Sequence, residues 1–249
     1  ISCGSHFCLA LQKDGSVYAW GTNGSGQLGD STSNSLFSPK KVAGGFKQVY
    51  AGDQTSIGVK NDSTIWAWGR NDQGLYGDGT TNAYKYPVQT VSSKKWKFVS
   101  LGYIHVIAIQ HDGTVWAWGN GTNGAVGDST WNHRYSPTSV YSLKKAKRVS
   151  GGGGHSLVLN DSGSLFGFGG NTYYQLGIGN TNSYNYPQAI QRNFQLKNFA
   201  IYRSSNPISD TATIGLVTNG VRNTQRMYLD TGLTNLKRYY YRIKANDSA

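Results

Sequence analysis

Four aromatic–glycine pairs recur along the chain at near-constant spacing. They are Trp20-Gly21, Trp68-Gly69, Trp118-Gly119 and Phe168-Gly169, separated by 48, 50 and 50 residues. A glycine follows each anchor by nine positions (Gly29, Gly77, Gly127, Gly177), and a proline follows by 19 (Pro39, Pro87, Pro137, Pro187). Offsets held through four copies define a tandem repeat, and a unit of about 50 residues is the period of solenoid and propeller arrays.

The residues before each anchor read as a β-hairpin. In the first copy FCLALQ (7–12) is followed by KDG and then SVYAW (16–20); in the third, HVIAIQ (105–110) is followed by HDG and TVWAW (114–118). The second strand alternates, with Val17, Ala19 and Gly21 on one face and Tyr18 and Trp20 on the other, the period of two expected of a strand. Asp14-Gly15, Asp112-Gly113, Asp62-Ser63 and Asp161-Ser162-Gly163 supply turn chemistry between the strands. After the anchor come Gly- and Asn-rich loops, a polar stretch read as loop up to the proline, and a short apolar strand such as 46–50 or 96–100. One such unit cannot bury both faces of its sheet, so the units must stack on one another.

Composition agrees. All twelve acidic residues are Asp and none is Glu, which removes a good helix former and leaves a turn residue. Tyr, Trp, Thr and Asn are abundant and Gly numbers 33, favouring short strands and tight turns. The predicted fold class is therefore all-β.

The pattern Gly-x-x-His-x-x-Ala-Leu-x-x-Asp-Gly-x-Val-x-x-Trp-Gly-x-Asn-x-x-Gly-Gln-Leu-Gly resembles the regulator of chromosome condensation repeat. His105 and His155 occupy its histidine position, where the first copy has Phe7 and the second Thr55. Gln27-Leu28-Gly29 and Gln175-Leu176-Gly177 match its loop; Leu75-Tyr76-Gly77 and Ala125-Val126-Gly127 depart from it. The resemblance covers residues 1 to 200 and implies β-propeller blades, here four, as part of a seven-bladed ring. Kelch and WD repeats fit less well. Residues 201–249 break the period. Ile214-Gly-Leu-Val, the Asp-Thr-Gly-Leu-Thr turn at 230–234 and the Tyr-rich stretch from Arg238 resemble the second half of a fibronectin type III domain. A complete sandwich of that kind needs about 90 residues in seven strands, so the tail is a partial β-sandwich-like segment.

Net charge is +12, which suits anionic partners or a solvated basic surface. Lys94, Lys95 and Lys97 recur one repeat later as Lys144, Lys145, Lys147 and Arg148, with Lys47 and Lys197 in the same series. Equal phase predicts a positive stripe on one rim, a candidate site for an anionic glycan or other polyanion with salt-sensitive affinity. The plainer reading is a solubilising lysine fringe. A second candidate set is aromatic: Tyr84, Tyr86, Trp131, Tyr135, Tyr173, Tyr174, Tyr184 and Tyr186, read as loop residues between the glycine and the proline. They suit a sugar face or protein partner, or packing against the neighbouring blade.

No catalytic residue, metal ligand set or cofactor motif stands out. The Asp residues repeat, and a catalytic acid is usually singular. His105 and His155 read as strand-tying hydrogen bonders. Gly24-Ser25-Gly26 lies in a loop rather than on a nucleophile elbow, and no Walker sequence occurs. Cys3 and Cys8 are the only cysteines; Cys8 reads as a buried thiol that Cys3 could reach. The Asn-x-Ser/Thr acceptors at Asn23, Asn61, Asn120, Asn160 and Asn246 are expected by chance in so polar a chain. No apolar run approaches the roughly 20 residues needed to cross a bilayer, no signal peptide is recognised, and the chain reads as a mature protein or a fragment. The resemblance is to bacterial secreted or cell-surface members of the family. The expected role is non-enzymatic: an extracellular recognition module for protein or glycan. A structural subunit with self-pairing blade edges and an exchange-factor-like regulator of a small GTPase are the alternatives, and nucleic acid is a less favoured partner.

Overall fold

The computed structural model describes residues 1–90 and 95–190 in full and, beyond them, the backbone of three strands at 196–204, 215–222 and 240–247. The described residues contain no helix. They form two compact units, Ile1–Gln191 and Arg192–Ala249.

The first unit is four antiparallel sheets of four strands. Blade 1 holds β1 (Ser2–Cys3), β2 (Phe7–Leu11), β3 (Val17–Gly21) and β4 (Leu36–Ala43). Blade 2 holds β5 (Phe46–Ala51), β6 (Thr55–Lys60), β7 (Ile65–Gly69) and β8 (Tyr84–Gln89). Blade 3 holds β9 (Trp96–Leu101), β10 (His105–Gln110), β11 (Val115–Gly119) and β12 (Arg134–Ser139). Blade 4 holds β13 (Ala146–Gly151), β14 (His155–Asn160), β15 (Leu165–Gly169) and β16 (Tyr184–Ile190). The register repeats with the sequence: Phe7 pairs with Gly21, Thr55 with Gly69, His105 with Gly119 and His155 with Gly169.

The stretch read as a loop up to the proline is instead the fourth, outermost strand of each blade. Pro39, Pro87, Pro137 and Pro187 lie inside β4, β8, β12 and β16. Each outer strand pairs with the rest of its blade on one side only, and its register slips beside the proline. A residue without an N–H is tolerated on such an edge strand or bulge, which is why proline did not break it.

Each sheet has one face toward the preceding blade and one toward the next, so the core lies in three layers between four blades. Leu9, Val17, Ala19 and Leu28 of blade 1 meet Phe46 and Trp68 of blade 2. Ile57, Val59, Ile65 and Ala67 of blade 2 meet Trp96, Val99, Val106 and Trp118 of blade 3. Ile107, Ile109, Val115 and Ala117 of blade 3 meet Val149, Val158 and Phe168 of blade 4. The two outermost faces are less covered. Cys8, Ala10, Tyr18 and Trp20 of blade 1 are half-buried, as are Leu157, Leu159 and Leu165 of blade 4. This corrects the expectation for Cys8, which lies on that first face. It stands across β1–β2 from Cys3; both thiols are free, and the hydrogen bond with Cys3, then burial, holds Cys8 up at about 11.

The anchors and the glycines nine residues beyond them form one joint. Trp68 Nε1 donates to Gln27 O at 2.9 Å, and Trp118 Nε1 to Leu75 O at 2.8 Å. The ring lies on the glycine of the preceding blade: a Cβ on Gly29 would stand 2.7 Å from Trp68, one on Gly77 2.9 Å from Trp118, and one on Gly127 2.5 Å from Phe168. All three glycines also have positive φ, so side chains are excluded twice over. Within the same loops Asn23, Asn71 and Asn171 accept a hydrogen bond from the backbone N–H five residues on. The third copy has Gly121 there, and the Asn132 backbone closes over it, leaving no room for a Cβ.

In the second unit β17 (Leu196–Ser204) lies between β18 (Gly215–Arg222) and β19 (Tyr240–Asp247), antiparallel to both. The Asp-Thr-Gly-Leu-Thr turn lies outside the described residues.

Candidate functional site

The histidine of the repeat is a structural element of the joint. His105 is fully buried; its Nε2 lies 2.7 Å from Ser156 Oγ, which itself donates to Ala125 O at 3.0 Å. The hydroxyl proton is thus committed to the carbonyl, so Nε2 carries the imidazole proton and donates to Ser156. Nδ1 is buried without a hydrogen-bond partner. Burial, with a smaller contribution from His155, pushes the His105 pKa down to about 4, so the ring is neutral at pH 7. A histidine depressed in the folded state takes up its proton more readily when unfolded. Stability is therefore full above about 6.5, the unfolded value, and falls as pH drops toward 4, by on the order of 3 kcal/mol. Urea unfolding at pH 7, 5 and 4 should show this loss. His105→Thr, the residue type of the second blade, should flatten the dependence.

The aromatic candidates separate into two groups. Tyr84, Tyr86, Tyr135, Tyr184 and Tyr186 belong not to loops but to the outer strands β8, β12 and β16, because those stretches pair with the third strand of each blade. Tyr84 and Tyr184 are half-buried at the strand starts, and each stands beside an exposed partner: Tyr84–Tyr86 at 5.8 Å between ring centroids, and Tyr184–Tyr186 at 5.9 Å. Tyr135 stacks on His133 at 6.3 Å. Trp131, Tyr173 and Tyr174 lie in loops, and all three are exposed, Tyr173 to 86%. Aromatic rings therefore line the outer edge of blades 2 to 4, outside the core.

The basic candidates gather at a different place. Lys95, Lys144 and Lys145 precede the first strands of blades 3 and 4, and Lys97, Lys147 and Arg148 lie on β9 and β13; all are exposed, while Lys94 lies outside the described residues. These strand starts are held to the hairpin turns of the preceding blade: Trp96 N–H donates to Ser63 O, and Ala146 N–H to Gly113 O. The turn carboxylate of Asp62 therefore lies beside Lys95. The Thr64 hydroxyl and N–H, with the nearby Lys95 and Lys60 charges, hold Asp62 below the usual carboxylate range. The Arg148 guanidinium lies 5.3 Å over the Phe98 ring, tying it to the neighbouring blade.

A third feature had no sequence signal because it is built from repeat positions whose residue types differ from copy to copy. Arg70, Asp72, Gln73, Tyr103 and Asn120 line a polar cleft of about 230 Å³ between blades 2 and 3. Arg70 Nη2 donates to Asp72 Oδ2 at 2.6 Å and lies near Asp53, and Asn120 Nδ2 donates to Gln73 Oε1 at 2.7 Å. Its charges are satisfied internally.

The family described as RCC1-like domain matches residues 1–206. The chain belongs to that family. Among solved structures, the RCC1-like domain is similar to human WBSCR16, with a TM-score of 0.69 at 24% identity, covering 76% of this chain and 52% of that one. It is likewise similar to Prp20p of Saccharomyces cerevisiae, described with its binding properties to Gsp1p and histones, with a TM-score of 0.70 at 20% identity, covering 78% and 50%. A 43-residue stretch is 49% identical to the human E3 ubiquitin-protein ligase HERC2, covering 17% of this chain and 1% of that protein. The chain spans about half the length of these solved relatives. At these identities the likeness establishes the propeller-type fold.

Proposed function

We propose that this RCC1-like domain is a non-enzymatic recognition module of an extracellular or cell-surface protein, of the bacterial secreted type, and that its outer edge contacts a protein or glycan partner. One observation carries the reading: Tyr86, Trp131, Tyr135, Tyr173 and Tyr186 are large exposed rings on strands and loops whose core contacts are made by other residues. Rings of this kind supply contact area at low entropic cost. The lysines at the blade starts would add salt-dependent attraction for acidic glycans. The partial fibronectin type III-like segment from residue 201 and the completion of a seven-bladed ring belong to the same proposal.

The test is binding of the purified chain to immobilised neutral and acidic glycans and to surface-protein arrays. The quadruple variant Tyr86→Ser, Trp131→Ser, Tyr173→Ser, Tyr186→Ser should lose at least about tenfold in affinity, since central aromatic contacts are each worth about 2 kcal/mol or more. Its unfolding midpoint should barely change, as exposed substitutions usually fall within about 0.5 kcal/mol. Full affinity in that variant would reject the reading. A structural subunit that assembles through its blades is the second reading. An exchange-factor role rests only on the family resemblance and carries less weight.

A further inference from the structure

Cys3 and Cys8 stand directly opposite each other on β1 and β2. Beside them the Gly4 N–H donates to Phe7 O at 2.8 Å. That bond makes the two cysteines a non-hydrogen-bonded pair, the kind whose Cα atoms approach to about 4.5 Å and whose side chains leave the sheet on one face. A disulfide needs Cα atoms about 4.4–6.8 Å apart, so the backbone already holds both residues within bridging reach. In the reduced chain the two free thiols are hydrogen-bonded to each other.

The same backbone position exists in every blade, and only blade 1 fills it with thiols. Gly52 N–H donates to Thr55 O, Gly102 N–H to His105 O and Gly152 N–H to His155 O. The pairs beside those bonds are Ala51–Ser56, Leu101–Val106 and Gly151–Ser156. The repeat therefore calls for no cysteine here, yet the two cysteines of the chain occupy both halves of one pair. β1 is also the strand through which blade 1 touches the inner strand of blade 2. Ser2 Oγ accepts from the Ala51 N–H at 2.9 Å, and a Cβ on Gly4 would strike the Gly52 carbonyl. A covalent tie at Cys3 fastens this contact strand to β2.

We propose that Cys3 and Cys8 close into an intrachain disulfide in an oxidising compartment. The oxidant is a disulfide of the oxidised-glutathione type. One cysteine thiolate attacks it, which forms a mixed disulfide and releases one thiol; the other cysteine thiolate then displaces the second thiol. The oxidant's S–S bond is reduced to two thiols, which take up the two cysteine protons, and one protein S–S bond forms. The bond constrains the unfolded chain, so it stabilises the fold. The proposal rests on the strand pairing and is independent of the ligand-binding reading.

Thiol trapping on the full chain tests it. The folded protein is equilibrated with oxidised glutathione, quenched in acid, alkylated with iodoacetamide and cut after Lys13. The peptide 1–13, which carries both cysteines, should be unalkylated and lighter than its reduced form by the mass of two hydrogens. The oxidised wild type should also unfold at a higher urea concentration than the reduced protein, and Cys3→Ser should show no such difference. A doubly alkylated peptide, a peptide arrested as the glutathione mixed disulfide, or a bond that forms only in denaturing urea would each overturn the proposal.

Discussion

Trp118→Ala is expected to destabilise the chain by about 3–5 kcal/mol, the cost of emptying a large aromatic site in a packed core. The indole is 1% exposed, tilts against Trp96 at 5.5 Å between centroids, and donates to Leu75 O of the preceding blade. Its loss opens a cavity in the layer between blades 2 and 3 and leaves that carbonyl without its partner. Trp118→Phe, the residue that Phe168 provides in blade 4, keeps most of the burial and gives up the hydrogen bond, so its cost should be nearer about 1–2 kcal/mol. Urea unfolding midpoints measure both.

Gly77→Ala strikes the same joint from the other side. The backbone has φ +72, so alanine carries about 1–2 kcal/mol of left-handed strain, and its Cβ 2.9 Å from Trp118 Nε1 adds about 1–3 kcal/mol of ring displacement. In a Trp118→Ala background the second contribution has nothing to act on. The double-mutant cycle should therefore show a coupling of about 1–3 kcal/mol. Gly177→Ala is the internal control: φ is +63 and no ring lies on it, so only the backbone cost of about 1–2 kcal/mol should appear. Equal costs at Gly77 and Gly177 would mean that the ring contact does not hold the blades together.

The repeat was legible because the joint consumes one residue of each type per blade. An indole needs a glycine under it, and that need keeps a ring and, nine residues on, a glycine in every copy, so that Trp68 meets Gly29 and Trp118 meets Gly77. The hairpins 7–12/16–20 and 105–110/114–118 were legible from alternation and turn chemistry. The outer strands were not: Tyr84–Gln89 and Arg134–Ser139 are polar, contain proline and pair on one side only, so they lack the signals of a strand. The candidate surfaces were legible as residue types but not as places. Tyr86 and Tyr186 became strand residues, Tyr84 and Tyr184 turned inward, and Lys95 acquired Asp62 as a neighbour.

Recognition at the outer edge is tested most directly by amide hydrogen exchange of the chain with and without a glycan or protein captured on the arrays. The account predicts slowed exchange in Tyr84–Gln89, Arg134–Ser139 and Tyr184–Ile190 and in the Trp131 and Tyr173 loops, with Phe46–Ala51, Trp96–Leu101 and Ala146–Gly151 unchanged. Protection confined to those first strands and their lysine-bearing starts, with the outer strands unaffected, would contradict it.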